Sequence, residues 1–221
     1  MDLILPIGFS AKGYVATEIF NPSDELKGNF SISANKNISA GTYPAVIFIK
    51  YRNENMNTFS TLYPHLLTYK NRYCSKIQGS ISDLEMTGKH TGITTLKIIN
   101  YDNESHKIKI NLYFPIEIKN TSCIKEILLG PRQEEEINLE INAFRVIMGR
   151  AYKILASLEY DENGRHFSSF ATGIVRVNLK ISEGEEQNYV LWGTLWGTII
   201  LFIILLVIYI YYSFTAKNKR L

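Results

Sequence analysis

A regular alternation of apolar and polar residues restricts the fold of this sequence more than any other feature. Between residues 107 and 114, isoleucine, leucine and phenylalanine at the even positions alternate with lysine, asparagine and tyrosine. The same period of two recurs over residues 137–141 and 175–180. Successive side chains of a β-strand point to opposite faces of its sheet, so the pattern is typical of half-buried antiparallel strands. Residues 74 to 180 are therefore predicted to be rich in β-structure.

Turn-forming residues separate these predicted strands. Asparagine, aspartate, glycine and proline are concentrated at residues 100–103, 130–131 and 161–164. The pair Asn163-Gly164 is the strongest signal, because both central positions of a type I′ hairpin turn need a positive φ. Several short strands at this spacing favour a β-sandwich.

An internal repeat relates the two halves of the chain. Residues 41–55 parallel residues 152–163: both segments follow a glycine closely, space two tyrosines eight residues apart and end in a polar turn, after which Phe-Ser recurs. Such self-similarity predicts two related structural units. Aligned in this way, the first copy lacks its opening strands, so we expect the natural protein to start upstream of Met1. The alternative is that residues 1–72 form a smaller, complete domain.

The strand and turn residues resemble a known family over residues 74–180 and, weakly, over the first half. The runs that carry the resemblance are Thr94–Glu104, Lys107–Phe114 and Leu129–Leu139. They are similar to the immunoglobulin-like sandwich modules of prokaryotic envelope proteins called NEW3/CARDB-like, although Arg132 stands where glycine is usual. The resemblance implies modules that are often tandem and membrane-tethered, and it implies a fold without an activity. The predicted fold class is all-β, with tandem immunoglobulin-like β-sandwiches over residues 1–72 (the partial or small one) and 73–181.

An almost unbroken apolar run from Val190 to Tyr212 predicts one C-terminal transmembrane helix over residues 189–214. About 23 residues make roughly 34 Å of helix, enough to cross the hydrocarbon core of a bilayer. The preceding flank is acidic and residues 215–221 are basic, so the tail is predicted to be cytoplasmic and the β-domains extracytoplasmic. Aromatic and basic residues are predicted to anchor the helix at the two interfaces: Tyr189, Trp192, Trp196, Tyr211, Tyr212, Lys217, Lys219 and Arg220.

Two residue pairs are candidates for specific contacts. Gly193 and Gly197 match the small-xxx-small pattern of closely packed membrane helices and are candidates for the contact of a homodimer; the other interpretation is that they are small residues without such a role. Cys74 and Cys123 are the only cysteines, and outside the cell they are candidates for a disulfide. Two free thiols are the alternative, because the Cα separation decides whether a bridge can form.

Composition and motifs argue against several function classes. The net charge is +3 over 221 residues and no cluster of lysine and arginine indicates nucleic-acid binding. The four histidines are widely separated in the sequence, and none has metal-ligand spacing to another histidine or to a cysteine. Neither a nucleophile motif nor a phosphate-binding loop is present. The sequence therefore predicts no enzyme, no cofactor and no metal.

These observations predict a non-enzymatic, single-span membrane protein whose extracytoplasmic modules bind or position a partner. Its expected partners are the lipid bilayer and another membrane or envelope protein, with this chain as an accessory subunit of a complex. The alternative is a surface adhesin or glycan-binding protein, for which an exposed aromatic patch on one sheet would be the sign. Several tyrosines are interpreted as cross-strand stabilisers, with a binding face as the alternative: Tyr63, Tyr69, Tyr73, Tyr101 and Tyr113.

Overall fold

The computed structural model describes residues 1–14, 28–54, 56–87, 90–121, 126–144, 146–178, 195–206 and 208. The chain divides into two compact units, Met1–Leu179 and Lys180–Leu221.

The described residues of the first unit form fourteen β-strands. In chain order they are β1 (Asp2–Ile4), β2 (Phe9–Tyr14), β3 (Asn29–Ala34), β4 (Ala40–Arg52), β5 (Thr58–Tyr69), β6 (Ile77–Ile81), β7 (Leu84–Thr87), β8 (Thr91–Asn100), β9 (His106–Tyr113), β10 (Ile118–Asn120), β11 (Glu126–Leu129), β12 (Glu134–Ala143), β13 (Ala151–Glu162) and β14 (Arg165–Asn178). Residues 107–113, 137–141 and 175–178 of the alternating segments lie in β9, β12 and β14, as their period of two predicts.

Two sheets pack face to face as a sandwich. One has the strand order β10-β12-β8-β6, and the other contains β11-β9-β13-β14, with β7 parallel to β14. Strands β6, β8 and β12 hold the positions of strands A, B and E of an immunoglobulin domain, and β9, β13 and β14 those of C, F and G. The predicted immunoglobulin-like β-sandwich is confirmed for this part of the chain.

Alternate residues of both sheets fill the core of the sandwich. Leu96 and Ile98 of β8 meet Ile108 of β9 and Ile154 of β13, and all four side chains are fully buried. Burying one such side chain contributes roughly 1.5–3 kcal/mol. The period of two in the sequence therefore accounts for this core directly.

A long N-terminal hairpin, β4–β5, is joined to the eight-stranded sheet only at the start of β14, where Ala40 and Gly41 pair in parallel with Arg165 and His166. Beyond this junction the hairpin packs over the outer face of β13, the face that points away from the other sheet of the sandwich. A second apolar cluster packs Val46, Phe48 and Leu62 of this hairpin against Leu155 of β13. All residues of β13 from 154 to 160 are buried, so this strand has protein on both faces.

Strands from both predicted modules thus lie in one sheet. The predicted boundary at residues 72 and 73 falls between β5 and β6, within the single unit Met1–Leu179. The two copies of the sequence repeat cover β4 and β13, each the first strand of a long antiparallel hairpin.

The second unit contains a helix, α1, over residues 195–206, with residue 208 also helical. Every described residue of α1 is exposed, and nearly all of them are large and apolar. No helix among the described residues has the length and apolar character needed to cross a bilayer. The predicted span of residues 189–214 extends on both sides beyond the described helix.

Candidate binding cleft

A cleft of about 1030 Å³ lies in the first unit, between the N-terminal segment and the outer face of the sandwich. Residues 4–7 and Tyr43 of β4 form one wall. Strands β9, β13 and β14 provide the floor, which carries Asn111, Glu159 and His166.

Strand register brings the floor residues together. Ser157 and Glu159 are two residues apart on β13 and therefore share a face of the sheet. On β9, Asn111 lies opposite Ser157. On β14, His166 lies opposite Asp161, directly after the Asn-Gly turn.

His166 lines the cleft and is 8% exposed. Its Nδ1 lies 2.8 Å from Oδ1 of Asp161, and its Nε2 lies 3.4 Å from Oε2 of Glu159. The ring of Tyr43 stacks on the imidazole with a centroid distance of 4.0 Å. The contact between Nε2 and Glu159 is electrostatic, because its geometry is not that of a hydrogen bond, and Nε2 has no hydrogen-bond partner among the described residues.

Glu159 is a buried carboxylate supported mainly at one oxygen. Nδ2 of Asn111 donates a hydrogen bond of 2.6 Å to Oε1, and Oγ of Ser157 donates one of 3.2 Å to the same atom. Its Oε2 faces His166. Two polar atoms from different strands, Oε2 and the imidazole Nε2, therefore face each other at the floor.

The charges at the floor shift two pKa values. Burial lowers the pKa of His166, but the interactions of its imidazole with the carboxylates of Glu159 and Asp161 outweigh it, so this pKa lies above the ordinary 6.5. Burial raises the pKa of Tyr43, and the negative charges of Asp161 and Glu159 raise it further. The environment thus favours a protonated imidazole between two carboxylates.

A second titratable cluster surrounds Asp102, at the turn between β8 and β9. One ligand atom each of Asp102, His106 and Glu162 lies within 4.8 Å of the others, a spacing that suits a metal ion. However, Nζ of Lys76 donates a hydrogen bond of 2.9 Å to Oδ1 of Asp102, and His106 Nε2 lies 3.1 Å from Oδ2. The bond from Lys76, followed by one from the Asn103 backbone, lowers the pKa of Asp102 to about 2. Because the lysine ammonium already neutralises Asp102, we interpret this cluster as a structural ion pair.

Of the remaining candidate residues from the sequence, some belong to the described part of the chain and others do not. Cys74 is exposed, whereas Cys123 lies outside the described residues, so their disulfide stays a prediction. Trp196 and Gly197 lie in α1. The other predicted helix-contact and anchor residues lie outside the described residues: Tyr189, Trp192, Gly193, Tyr211, Tyr212, Lys217, Lys219 and Arg220.

The floor of the cleft was not predicted, although the sequence contains a signal for it. Asn163-Gly164 predicts a tight hairpin, and residues flanking a two-residue turn lie opposite one another. Glu162 and Arg165 flank the turn, Asp161 and His166 form the next pair, and Glu159 lies on the same face of β13 as Asp161. Tyr113, noted among the tyrosines, is the one of that group that lines the cleft.

No protein-family model matches the chain, and no curated protein matches its sequence. Among solved structures, native alpha-2-macroglobulin from Escherichia coli, from domain MG7 to the C-terminus, is 14% identical, with a TM-score of 0.42 over 48% of this chain and 17% of that chain. The E. coli chaperone DraB is 13% identical, with a TM-score of 0.33 over 48% of this chain and 57% of that one. A PapD-like domain of human CEP192 is 12% identical, with a TM-score of 0.29 over 49% and 92%. The chain spans less than two thirds of the first two proteins, and likeness at this level says nothing about function.

Proposed function

We propose that this protein is a non-enzymatic, membrane-anchored binding module whose cleft receives and positions a partner. The observation that carries the proposal is the cleft itself, whose lining includes His166, a residue with a buried Nε2 that has no hydrogen-bond partner among the described residues. Buried polar atoms in folded proteins are nearly always hydrogen-bonded. An exception beside a cleft supports a binding role for that cleft.

The contacts of the floor residues support binding in preference to catalysis. Asp161 engages the Nδ1 atom of His166, and Oε1 of Glu159 accepts hydrogen bonds from Asn111 and Ser157. A general acid or base must reach a reacting group with a free proton or lone pair. In His166 and Glu159, most donor and acceptor atoms are already used to hold the two side chains in place, as a preformed binding site requires.

The exposed helix α1 supports the proposed anchor. It is apolar around its whole circumference, and a helix of that kind is covered either by a protein core or by lipid. Together with the apolar run over residues 189–214 and the basic tail, this favours a single-pass protein with an extracytoplasmic sandwich. The resemblance to NEW3/CARDB-like envelope modules agrees with the same placement.

Cross-linking in native membranes, followed by pull-down of the tagged full chain and mass spectrometry, tests the binding role. Lys109 is an exposed residue at the rim of the cleft, whereas Lys153 is exposed on β13 outside it. We expect a stoichiometric partner with the wild type and with the control Lys153→Glu, and loss of that partner with Lys109→Glu. Recovery of the chain alone, or equal capture by both variants, would overturn the proposal.

Extraction of membranes at alkaline pH tests the anchor separately. A transmembrane helix keeps the protein in the membrane fraction, because its insertion is effectively irreversible. Release of the full chain into the supernatant would contradict the anchor and leave the binding role of the cleft unaffected.

A further inference from the structure

Exposed apolar side chains are concentrated at one end of the first unit. They come from the end of hairpin β4–β5 that holds its turn and from the loop between β12 and β13, and we call them the apolar tip: Tyr51, Met56, Phe144, Ile147 and Met148. Met56 is 69% exposed, and the other four are 38% to 43% exposed. Met56 and Ile147 both line a depression of about 450 Å³ between the turn and the loop. Soluble proteins rarely expose apolar side chains in such a group, so the apolar tip is a candidate contact surface.

Polar contacts fix the two segments of the apolar tip to each other and to the sandwich. Nη1 of Arg150 in the loop donates a hydrogen bond of 3.0 Å to the hydroxyl oxygen of Tyr51 in the hairpin. The backbone nitrogen of Ile147 donates one of 2.7 Å to the hydroxyl oxygen of Tyr152 in β13. The loop is therefore held against the hairpin and against β13, and the exposed side chains form one surface.

Basic side chains surround the apolar tip. Arg52, Lys119 and Arg150 are exposed there, and Glu54 is an exposed acidic residue of the same turn. Glu117, which lines the depression, is fully buried. Lysine and arginine can cover apolar surface with their stems while their charged ends reach water or anionic headgroups. Apolar side chains bordered by basic ones are typical of protein surfaces that lie on an anionic membrane.

The chain leaves the first unit at the same end. Strand β14 ends at Asn178, next to the start of β13, and the backbone nitrogen of Gly149 donates a hydrogen bond of 2.8 Å to the backbone oxygen of Val177. The apolar run of the sequence begins at Val190. Residues 179–189 span at most about 40 Å, and β14, with 14 residues, is itself about 46 Å long. In an anchored chain, the apolar tip is therefore the end within easiest reach of the bilayer.

We propose that the apolar tip rests on the surface of the bilayer that anchors the chain. Its apolar side chains lie among the lipid headgroups, and Arg52, Lys119 and Arg150 contact anionic phosphate groups. The inference rests on the proposed membrane anchor and adds a second contact with the same bilayer. Because His166 lies near the opposite end of β14, the contact turns that part of the cleft away from the lipid.

Photo-crosslinking of the full chain in lipid vesicles tests the inference directly. The protein is produced with a diazirine analogue of methionine and reconstituted in vesicles of phosphatidylethanolamine and phosphatidylglycerol. After illumination, mass spectrometry locates phospholipid adducts on its peptides. We expect adducts at Met56 and Met148 and none at Met86, which is 3% exposed. The inference is wrong if neither Met56 nor Met148 acquires a lipid adduct.

Leu128→Met provides the matched control for position. Leu128 is 73% exposed and lies on β11 opposite Lys107, toward the end of the sandwich away from the apolar tip. A diazirine at this position is more exposed than the one at Met148, yet we expect no lipid adduct on it. Equal adduct yields at the two positions would show that the chain meets lipid without a preferred end, and would overturn the inference.

Lipid charge and one charged substitution test the composition of the surface. In vesicles of neutral phosphatidylcholine, the adduct yield at Met148 should fall at least about fivefold, the effect of one basic residue near an anionic membrane. Ile147→Asp should lower the yield in the anionic vesicles, because it places a carboxylate within the apolar tip, whereas Leu128→Asp should leave it unchanged. Equal yields in both lipids would overturn the role of the basic residues. The wild-type experiment decides the inference even if Ile147→Asp fails to fold.

The outcomes also separate this inference from the proposed function. A chain that does not stay with the vesicles overturns both the anchor and the inference. A chain that stays with them but gains no adduct at Met56 or Met148 leaves the anchor standing and overturns the inference alone. In native membranes, adducts of these two residues with a protein in place of lipid would assign the apolar tip to a protein partner, and would also overturn it.

Discussion

The N-terminal hairpin β4–β5 and the C-terminal hairpin β13–β14 begin from similar sequences but lie in different surroundings. Tyr51 pairs with Phe59 in the first hairpin, and Tyr160 pairs with Phe167 in the second. Tyr160 is 3% exposed, whereas Tyr51 is 43% exposed. The tyrosine of the pair therefore belongs to the core in one hairpin and to the surface in the other, whereas Phe59 is buried at 3% exposure.

The difference follows from the layer that each hairpin occupies. Strand β13 has the opposing sheet on one face and the N-terminal hairpin on the other, whereas the end of β4 near Tyr51 is exposed. Even the hydroxyl groups differ: that of Tyr160 accepts a hydrogen bond from the Lys76 backbone, and that of Tyr51 accepts one from the exposed Arg150 side chain. A hairpin sequence sets local geometry, and its place in the sheet sets how much its side chains stabilise the fold.

The largest expected effect comes from truncating the two equivalent tyrosines. Tyr160→Ala removes a buried ring stacked on Phe167 at 4.9 Å, and we expect it to lower the free energy of unfolding by about 3–5 kcal/mol. Tyr51→Ala should cost less than about 1 kcal/mol, because its ring is already partly in water. Chemical denaturation of both variants measures the contrast. Equal losses would show that the two hairpins carry equal weight.

The junction of the two hairpins should give the next largest effect. A Cβ at Gly41 would lie 2.0 Å from the backbone oxygen of His166, so Gly41→Ala forces β4 away from β14. We expect a loss of about 1–3 kcal/mol, the usual cost of overpacking. Gly92→Ala is the control, since its Cβ would meet only the flexible side chains of Leu84 and Met86 at 3.0 Å or more. Unfolding midpoints that shift equally in both variants would contradict this account of the junction.

A smaller effect should appear in the pH dependence of stability, because, of the two hairpins, only the C-terminal one holds a buried histidine, His166. Its pKa is raised above 6.5 in the folded state by Glu159 and Asp161, despite burial, with Tyr43 packed over the ring. The stabilisation is therefore complete below pH 6.5 and is lost as the pH rises through the folded pKa. His166→Gln should remove this component of the profile, and His65→Gln should preserve it. A histidine component that survives in His166→Gln would assign it to another group.

The turns should show the smallest difference. Asn163 and Gly164 have φ values of 49° and 71°, whereas the turn of the N-terminal hairpin holds Met56 at 60°. We expect Gly164→Ala to destabilise the protein and Met56→Gly to stabilise it, each by about 1 kcal/mol, because a side chain at positive φ is strained. Thermal unfolding of both variants gives the two signs. The same sign for both would show that strain at the turns does not control the effect.

Local features of the fold were predictable from the sequence, whereas its layering was not. Alternation located β9, β12 and β14, and the Asn163-Gly164 turn is present with positive φ at both positions. The sequence around Leu155 gives no sign that Val46 and Leu62 cover it, because this contact depends on pairing between distant strands. The ion pair of Lys76 with Asp102 was missed for the same reason.

The cleft was only partly predictable. Opposed positions of Asp161 and His166 follow from the hairpin register, so that half of the floor can be read from the sequence. The stacking of Tyr43 on His166 cannot, since it requires the parallel contact between β4 and β14. A site built between two hairpins becomes visible only when both are placed.

The junction of the two hairpins has a consequence for the time course of folding. Oγ of Ser168 donates a hydrogen bond of 2.8 Å to the backbone oxygen of Thr42, across 126 residues of chain. Contacts of such long range form slowly, because the loop must close before they contribute. Strand β4 also emerges from the ribosome long before β13 and β14, the later strands that pack against it. Until β14 has been synthesised, Val46 and Phe48 lack their final apolar partners, and this interval is when the nascent chain is most exposed to aggregation.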